Sequence, residues 1–202
     1  MTVPTRDRLV QTSAELFRRQ GFAGTGVKQV LEGAGAPFGS LYHFFPGGKQ
    51  QLAAAALRTG GAYFLGLYLA VSEASPDVGT TVSEFFAGAG DTVVASDFAD
   101  SCPIATVASE VANTNDDLRL VCAEVFETWL TALVGDLSDA GLADGDARAL
   151  GLNLLSLIEG AFLMARTLRS GAPMTAAGLA ARSLVDAALL PDRAAGAGAD
   201  GE

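Results

Sequence analysis

The sequence predicts an all-α fold, and three observations indicate it. Apolar residues recur at intervals of three and four along most of the 202-residue chain, which is the spacing of one helix face. No segment shows the two-residue alternation of a half-buried strand, and no glycine-rich phosphate loop follows a candidate strand. Glycine and proline interrupt the helical pattern repeatedly, so we expect about nine helices separated by short turns.

The first three predicted helices are short and are bounded by capping and breaking residues. They span residues 6–20, 27–34 and 37–45. Thr5 is the expected N-cap of the first helix and Gly21 its end, and Thr25 is the expected cap of the second. Pro37 suits the first position of the third helix, where its missing N–H has no helical partner, and Pro46 stops that helix.

Two short helices joined by a glycine-containing turn form the pattern of a helix-turn-helix, whose second helix enters the major groove of DNA. At 1.5 Å per residue, helix 37–45 would be roughly 13 Å long, and its diameter suits a groove about 12 Å wide. The sequence therefore predicts a DNA-binding head over residues 1–48.

The rest of the chain predicts a larger helical body over residues 49–190. Its expected helices span residues 49–72, 80–95, 103–113, 115–140, 146–169 and 175–190. Gly60, Gly61 and Gly66 each weaken the first of these by about 1 kcal/mol relative to Ala, which indicates a bend or close packing. Asn115 is the expected cap of the 115–140 helix. The tail 191–202, mostly Ala, Gly and Asp, is predicted to be disordered.

The charge is divided unevenly along the chain. The formal net charge is −10, yet residues 1–58 hold seven basic and three acidic side chains, a local charge of +4 that leaves −14 for the remainder. A small basic head on an acidic body is expected when only one end of a molecule approaches phosphate.

Composition also limits the compartment and the cofactors that we expect. The longest promising uncharged stretch, between Arg58 and Glu73, has 14 residues, whereas a membrane span needs about 18. The N-terminal segment has no apolar signal core, so we expect a soluble cytoplasmic protein without membrane contact. Cys102 and Cys122 lack the paired spacing and nearby histidines of a zinc site. We expect two buried thiols, no metal and no cofactor.

A family resemblance rests on the head. Its segments are residues 21–27 (GFAGTGV), 34–35 (AG) and 39–46 (GSLYHFFP), together with Lys49. They closely resemble the N-terminal signature of the TetR family of bacterial transcription repressors, over about residues 5–55. Residues 101–105 (SCPIA) and the doubled glycine before Lys49 are similar to the LmrA-like branch of that family. The resemblance implies a homodimer that binds double-stranded operator DNA and is released from it by a small hydrophobic effector.

Carried over by position, the resemblance implies two sets of DNA contacts. Those expected to hold phosphates are Thr25, Tyr42, His43 and Lys49. Those expected to face the groove are Lys28, Pro37, Phe38, Gly39 and Ser40. Tyr and His side chains offer hydrogen-bond donors to phosphate oxygens, although packing within the head is the alternative role for both. Many family members carry Ser and Lys where this chain has Pro37 and Phe38, so a capping hydroxyl and a charged reader are missing here.

The resemblance also implies that the two last helices of the body pair the subunits and that the body encloses a pocket. Candidate ligand-binding residues are Phe85, Phe86, Cys102, Phe126, Trp129, Phe162 and Met164, with Glu159 as a polar anchor. Candidate dimer-interface residues are Leu154, Leu155, Ile158, Leu184 and Leu189. For both sets the alternative is an ordinary hydrophobic core.

Two other classes of protein are alternatives to a DNA-binding regulator. An enzyme would need a nucleophile such as Cys102 and a base, but His43 is the one histidine of the chain and lies in the helix-turn-helix. A ligand-sensing adaptor that kept the fold without binding DNA is suggested by Phe38 and by the modest charge of the head. Salt dependence separates this adaptor from a DNA-binding protein, because phosphate contacts weaken steeply as salt rises.

Overall fold

A computed structural model describes residues 3–190 of the chain, and within that range it contains nine α-helices and no strand. The helices are α1 (Thr5–Gln20), α2 (Val27–Gly33), α3 (Ser40–Phe44), α4 (Gly48–Ala74), α5 (Val78–Ala95), α6 (Ala105–Val111), α7 (Asp116–Asp139), α8 (Asp144–Leu168) and α9 (Ala172–Leu189). The predicted all-helical class is confirmed. The disorder predicted for 191–202 lies outside the described residues.

Helices α1 to α3 and the first turns of α4 form the head around one small core. The buried apolar residues of this core are Leu9, Val10, Val30, Leu31, Ala34, Leu41, Phe45 and Leu52. Leu52 belongs to α4, which begins at the predicted boundary between head and body. The long helix therefore takes part in the packing of the head before it enters the body.

The start of α3 differs from the sequence prediction. The helix begins at Ser40, three residues after the predicted start at Pro37. The Ser40 N–H donates to the carbonyl of Pro37 at 2.9 Å, an i+3 bond, whereas the carbonyl of Gly39 is the first to accept an i+4 bond, from His43. Residues 37–39 are therefore a tight turn that leads into the helix.

The predicted threonine caps are wrong, because neither hydroxyl caps a helix. Thr5 is itself the first residue of α1, and Pro4 precedes it without a side-chain cap. Thr25 is fully buried, and its hydroxyl donates to the carbonyl of Gly21 at 2.7 Å and accepts from Gln20 Nε2 at 3.2 Å. Thr25 therefore closes the connection between α1 and α2. Gly21 ends α1 with φ +78°, as predicted.

Helices α4 to α9 pack as a bundle, in which α4 contacts α1, α5 and α7 while α8 contacts α5, α7 and α9. Side chains cap the N-termini of two of these helices, α7 and α5. The Asn115 side chain accepts from the Leu118 N–H at 3.1 Å, as predicted for α7. The Asp77 carboxylate accepts from the Thr80 N–H at 2.7 Å, so α5 begins at Val78, two residues earlier than predicted.

The glycines of α4 have different environments. A Cβ at Gly61 would collide with Val125 of α7, and the Trp129 indole N–H donates to the Gly61 carbonyl at 2.9 Å. A Cβ at Gly60 would lie 3.2 Å from Pro103, whereas one at Gly66 would meet open space. The prediction of close packing is confirmed at Gly61 and Gly60.

Helices α4 and α8 are long and apolar enough to cross a membrane by length and composition alone. A count of uncharged residues alone does not find these two candidate spans. A window with one or two charged side chains can also reach the mean hydropathy of a membrane span. Buried helices of a globular bundle meet the same criterion. Within residues 3–190, α4 packs against four helices (α1, α3, α5 and α7) and α8 against three (α5, α7 and α9), so their composition is weak evidence for a membrane span.

Substitution of the α4 glycines by alanine should have opposite effects on stability. We expect Gly61→Ala to lower the free energy of unfolding by about 1–3 kcal/mol, because the new methyl group overpacks the contact with Val125. Gly66→Ala is the matched control and should raise it by up to about 1 kcal/mol through helix propensity. Urea denaturation of both variants measures the difference. Equal stability of the two would contradict the assigned packing.

Candidate DNA-binding surface and ligand cavity

The surface of the head around α3 presents most of the predicted DNA contacts. Leu41 and Phe45 face inward, whereas Tyr42 is 62% exposed and the neighbouring His43 is also exposed. Phe38, in the turn before α3, is 77% exposed. Lys28, Pro37 and Gly39 are exposed as well, and Ser40 is half-buried. The structure thus brings two aromatic rings, hydrogen-bond donors and the exposed Lys28, whose ammonium lies 3.7 Å from Glu32 Oε1, to one end of the molecule.

Arg8 fixes the turn between α2 and α3. Its Nε donates to the carbonyl of Ala34 at 2.8 Å, and its Nη2 donates to the carbonyl of Gly35 at 3.4 Å. Gly35 has φ +56°, a conformation that favours glycine at this turn. The sequence analysis counted Arg8 only as positive charge, yet its role is to hold the angle between the two helices.

Tyr42 lies beside the start of α4. A Cβ at Gly48, which has φ +66°, would be 3.5 Å from Cε1 of Tyr42. At the N-terminus of α4 the Gln51 side chain accepts from the Gly47 N–H at 2.9 Å, and the remaining free N–H groups and the helix dipole of such an end favour a bound anion. The ring of His43 packs edge-on against Phe44 at 4.6 Å between centroids. The exposed Tyr42 ring therefore lies next to the N-terminus of α4.

Two predicted phosphate contacts are occupied within the head. The Lys49 ammonium donates to the carbonyl of Phe22 at 2.6 Å and lies 4.2 Å above the ring of Phe22. Burial lowers the pKa of Lys49, and Glu110 partly offsets that effect. Thr25, as described above, has no exposed atom and uses its hydroxyl internally. A phosphate role for the Thr25 side chain is therefore inconsistent with this structure, and Lys49 must leave Phe22 to fill one.

An aromatic cavity lies in the body among α4, α5, α7 and α8. Phe64 is at its centre, with ring centroids 5.1 Å from Phe85 and 4.8 Å from Trp129. Phe86 of α5 also lines the cavity, and its volume is about 50 Å³. Phe85, Phe86 and Trp129 were all predicted ligand-binding residues. Phe64 was missed, because in the sequence it is one aromatic residue among many apolar neighbours.

The remaining predicted ligand residues lie around this cavity or away from it. The rings of Phe126 and Phe162 pack against cavity-lining rings, Phe126 at 5.6 Å from Trp129 and Phe162 at 6.3 Å from Phe64. Met164 is 54% exposed and points outward, so its assignment to the pocket is wrong.

Three predicted interface residues line the cavity instead of an outer surface. They are Leu154, Leu155 and Ile158 of α8. Leu154 and Ile158 are almost fully buried, so their assignment to a dimer interface is corrected by the fold. Helix α8 carries apolar residues on an inner and an outer face, and spacing alone does not identify which face meets the core.

The outer faces of α8 and α9 carry the exposed apolar side chains expected of an interface. These are Leu152, Leu163, Met164, Leu168, Leu179, Leu184 and Leu190. Leu184 was among the predicted interface residues, whereas Leu189 packs partly against the core. A cluster of this kind on two adjacent helices is typical of a surface that is covered by another protein.

The Asp136 carboxylate, next to the cavity-lining Tyr68, is hydrogen-bonded within the protein. The Tyr68 hydroxyl donates to Asp136 Oδ2 at 2.6 Å, and the Ser72 hydroxyl donates to the same oxygen at 2.8 Å. Burial and the adjacent Asp136 carboxylate raise the pKa of Tyr68 far above its usual range, so the phenol stays neutral. Tyr68 and Ser72 are one helical turn apart, a spacing that could have revealed this pair.

A second carboxylate near the cavity, that of Glu159, lacks such hydrogen bonds. Both carboxylate oxygens of Glu159 are buried and accept no hydrogen bond of normal geometry. Burial raises the pKa of Glu159 to about 7, and the neighbouring Cys102 thiol lowers it slightly. Cys102 is fully buried, and its sulfur accepts from the N–H groups of Ile104 at 3.4 Å and Ala105 at 3.3 Å. Burial raises the pKa of that thiol.

The loop after α5 connects the body to the head. Asp100 is buried and binds Arg18 and Arg19 of α1, each at 3.0 Å. Arg166 of α8 donates to the carbonyl of Phe98 at 3.3 Å and to that of Arg19 at 3.2 Å. The end of α1, this loop and α8 are therefore joined by a continuous set of hydrogen bonds.

The fold and the head define a helix-turn-helix DNA-binding protein, and comparison with known proteins gives its family. The family described as bacterial regulatory proteins, tetR family, matches residues 9–56. The C-terminal domain described as transcriptional regulator LmrA/YxaF-like matches residues 79–180. The chain belongs to the TetR family of transcriptional regulators, and its body is of the LmrA/YxaF-like type.

Individual relatives agree with this assignment. The uncharacterised regulator YxaF of Bacillus subtilis is 32% identical over 84% of this chain and 89% of its own length. The regulator LmrA of the same species is 28% identical over 84% of this chain and 90% of its own. The crystal structure of regulatory protein TetR from Rhodobacter sphaeroides superposes with a TM-score of 0.80 at 24% identity, covering 89% of this chain and 98% of that one. The chain is therefore a DNA-binding regulator, as predicted, and not an enzyme.

Glu159 should make the stability of the protein depend on pH. Its carboxyl group has a pKa of about 7 when folded and an ordinary value of 4.5, so the unfolded chain ionises first as pH rises. We expect the free energy of unfolding to fall by roughly 3 kcal/mol from this group between pH 4.5 and 7. Urea denaturation across that range should show Glu159→Gln without this loss. Glu73→Gln, at an exposed site of α4, is the control, and identical curves for both variants would contradict the assignment.

Proposed function

We propose that the chain is a homodimeric repressor that leaves its operator when a small hydrophobic molecule fills the aromatic cavity. The observation that carries this proposal is the course of α4. Leu52, near its start, belongs to the core of the head, and Phe64 and Tyr68, three to four turns later, line the cavity. A molecule that moves the cavity end of this helix also moves the head.

The size of the cavity supports a conformational response. A volume of about 50 Å³ accommodates little more than a few water molecules, whereas pockets for drug-sized ligands measure about 300–1,000 Å³. Such a ligand enters only if helices separate, so it favours a conformation with a wider body. A coupling free energy of about 1–3 kcal/mol between ligand and DNA changes operator affinity 5- to 150-fold.

On DNA, we propose that Tyr42, His43 and the start of α4 hold the phosphate backbone while Lys28 and residues 37–40 face the major groove. The exposed Phe38 ring suits apolar contact with a thymine methyl group. In a symmetric dimer, the two heads bind half-sites separated by about one helical turn, ~34 Å, or a multiple of it. Because a bacterial chromosome lies in the cytoplasm, a protein that binds operator DNA acts in that compartment.

The dimer forms, in this proposal, through the outer faces of α8 and α9. Helices that pack against each other within one subunit present their exposed leucines side by side, and a second copy related by twofold symmetry covers them with the same residues. Such an interface places the two heads on the same molecule at a spacing that the bodies control.

Removal of the Tyr42 hydroxyl tests the DNA-binding surface. We expect Tyr42→Phe to weaken binding to the promoter DNA of the chain's own gene at least about tenfold, because two phosphate hydrogen bonds are lost per dimer. Tyr63→Phe is the control, since Tyr63 is 67% exposed but lies in the middle of α4. Fluorescence anisotropy with labelled DNA measures both affinities. Wild-type affinity in Tyr42→Phe, or no sequence-specific binding by the wild type, would overturn the assignment.

A charge placed in the outer face of α9 tests the dimer. Leu179 is 66% exposed, and Leu179→Glu should dissociate the dimer because it buries an unpaired charge in an apolar interface. Leu120→Glu introduces the same charge at a 52% exposed leucine of α7 and should leave the dimer intact. Sedimentation velocity reports the mass of each variant. A dimeric Leu179→Glu variant or a monomeric wild type would contradict the proposed interface.

A further inference from the structure

Glu159 lies on the same side of α8 as residues of the aromatic cavity. Leu155, four residues earlier, lines the cavity, and Phe162, three residues later, packs against the Phe64 ring at 6.3 Å. Residues at these spacings are neighbours on one helix face. The buried carboxylate of Glu159 therefore lies beside the residues that line the cavity, next to the Cys102 thiol.

The loop that contains Cys102 packs against α4 just outside the cavity. A Cβ at Gly60 would be 3.2 Å from Pro103, one turn of α4 before the cavity-lining Phe64. Tyr68, one turn after Phe64, also lines the cavity and donates to Asp136 at 2.6 Å. A ligand that extends from the lining rings toward Glu159 therefore enters only as the helices separate.

Within residues 3–190, neither carboxylate oxygen of Glu159 accepts a hydrogen bond of normal geometry, and its polar neighbour is the Cys102 thiol. The next basic residue on α8, Arg166, uses its guanidinium on the carbonyls of Phe98 and Arg19. Buried polar groups in folded proteins are nearly always paired, and an unpaired carboxylate is costly. By contrast, Asp136 already accepts from Tyr68 and Ser72. Glu159 is the acidic group near the cavity that has capacity for a ligand.

We propose that the cavity binds an aromatic amine in its protonated form, with the ammonium group held by Glu159 and the rings among Phe64, Phe85 and Trp129. This inference rests on the proposed ligand-responsive function and specifies its effector class. The ammonium donates to the Glu159 carboxylate oxygens, whose neighbour among the described residues is the weakly polar Cys102 thiol, and the surrounding aromatic faces also attract a cation. An anionic ligand of the same shape is repelled by Glu159 and Asp136.

Direct binding without DNA tests this class of ligand. The probes are naphthylmethylammonium, naphthylmethanol and naphthoate, which share one ring system and differ in charge. Isothermal titration calorimetry gives affinities, and quenching of Trp129, the one tryptophan of the chain, reports binding at the cavity. We expect the ammonium to bind at least about tenfold more tightly than the alcohol, which corresponds to about 1.4 kcal/mol, and naphthoate to bind most weakly.

Two variants test whether the ammonium binds to Glu159 or is attracted by any negative charge near the cavity. Glu159→Gln keeps the shape of the side chain and should reduce the preference for ammonium over alcohol to less than threefold. Asp136→Asn removes one charge next to the cavity-lining Tyr68 and should keep the preference. Thermal unfolding and promoter binding of both variants verify that they are folded. A preference that survives Glu159→Gln, equal affinity for all three probes, or no binding of any probe would overturn the inference.

Release from promoter DNA, measured separately, distinguishes this inference from the proposed function. If naphthylmethylammonium binds with the expected preference but does not weaken operator binding, the effector-release function is wrong and the cation site stands. If naphthylmethanol binds as tightly and releases the DNA, the function stands and the cation site is wrong.

Discussion

The long helix α4 is the element on which the rest of the structure depends, because it belongs to both hydrophobic cores. Leu52 completes the core of the head, and Phe64 lines the cavity of the body. Between them, Gly61 lets α7 approach so closely that a methyl group would collide with Val125. The Trp129 indole bound to the Gly61 carbonyl fixes this contact. Neither end of the helix can shift without moving the other.

Several basic residues of the head are engaged in contacts within the protein, so the head has less positive charge available for DNA than its sequence suggests. The sequence shows a local charge of +4 in residues 1–58, but Arg8 holds the turn of the helix-turn-helix, and Arg18 and Arg19 bind Asp100. Lys49 is engaged with the Phe22 carbonyl. In the proposed complex with DNA, hydrogen-bond donors and the start of α4 therefore carry more of the phosphate binding than side-chain charge does. Since the salt dependence of DNA affinity follows the number of phosphates neutralised by cations, it should be shallow for such a head.

Most of the fold could be predicted because it follows from local signals. Asn115 caps α7 and Gly21 ends α1 as expected from their chemistry. What could not be predicted depends on contacts distant in sequence. Leu154 and Ile158 have the spacing of any apolar helix face, and only the position of α5 and α7 shows that they line a cavity. Thr25 likewise has the composition of a cap, but its neighbours bury it.

A strained loop lies between α8 and the end of α1. Asp97 and Phe98 both have left-handed backbone conformations, with φ of 52° and 62°, and such residues cost about 1–3 kcal/mol each unless their surroundings hold them. Helix α8 provides that support, since Arg166 binds the Phe98 carbonyl at 3.3 Å and Arg169, immediately after the helix, binds Asp97 at 2.6 Å. In the proposed mechanism, a ligand that displaces α8 removes this support. The loop is then released, and Asp100 shifts with the end of α1 to which it is bound.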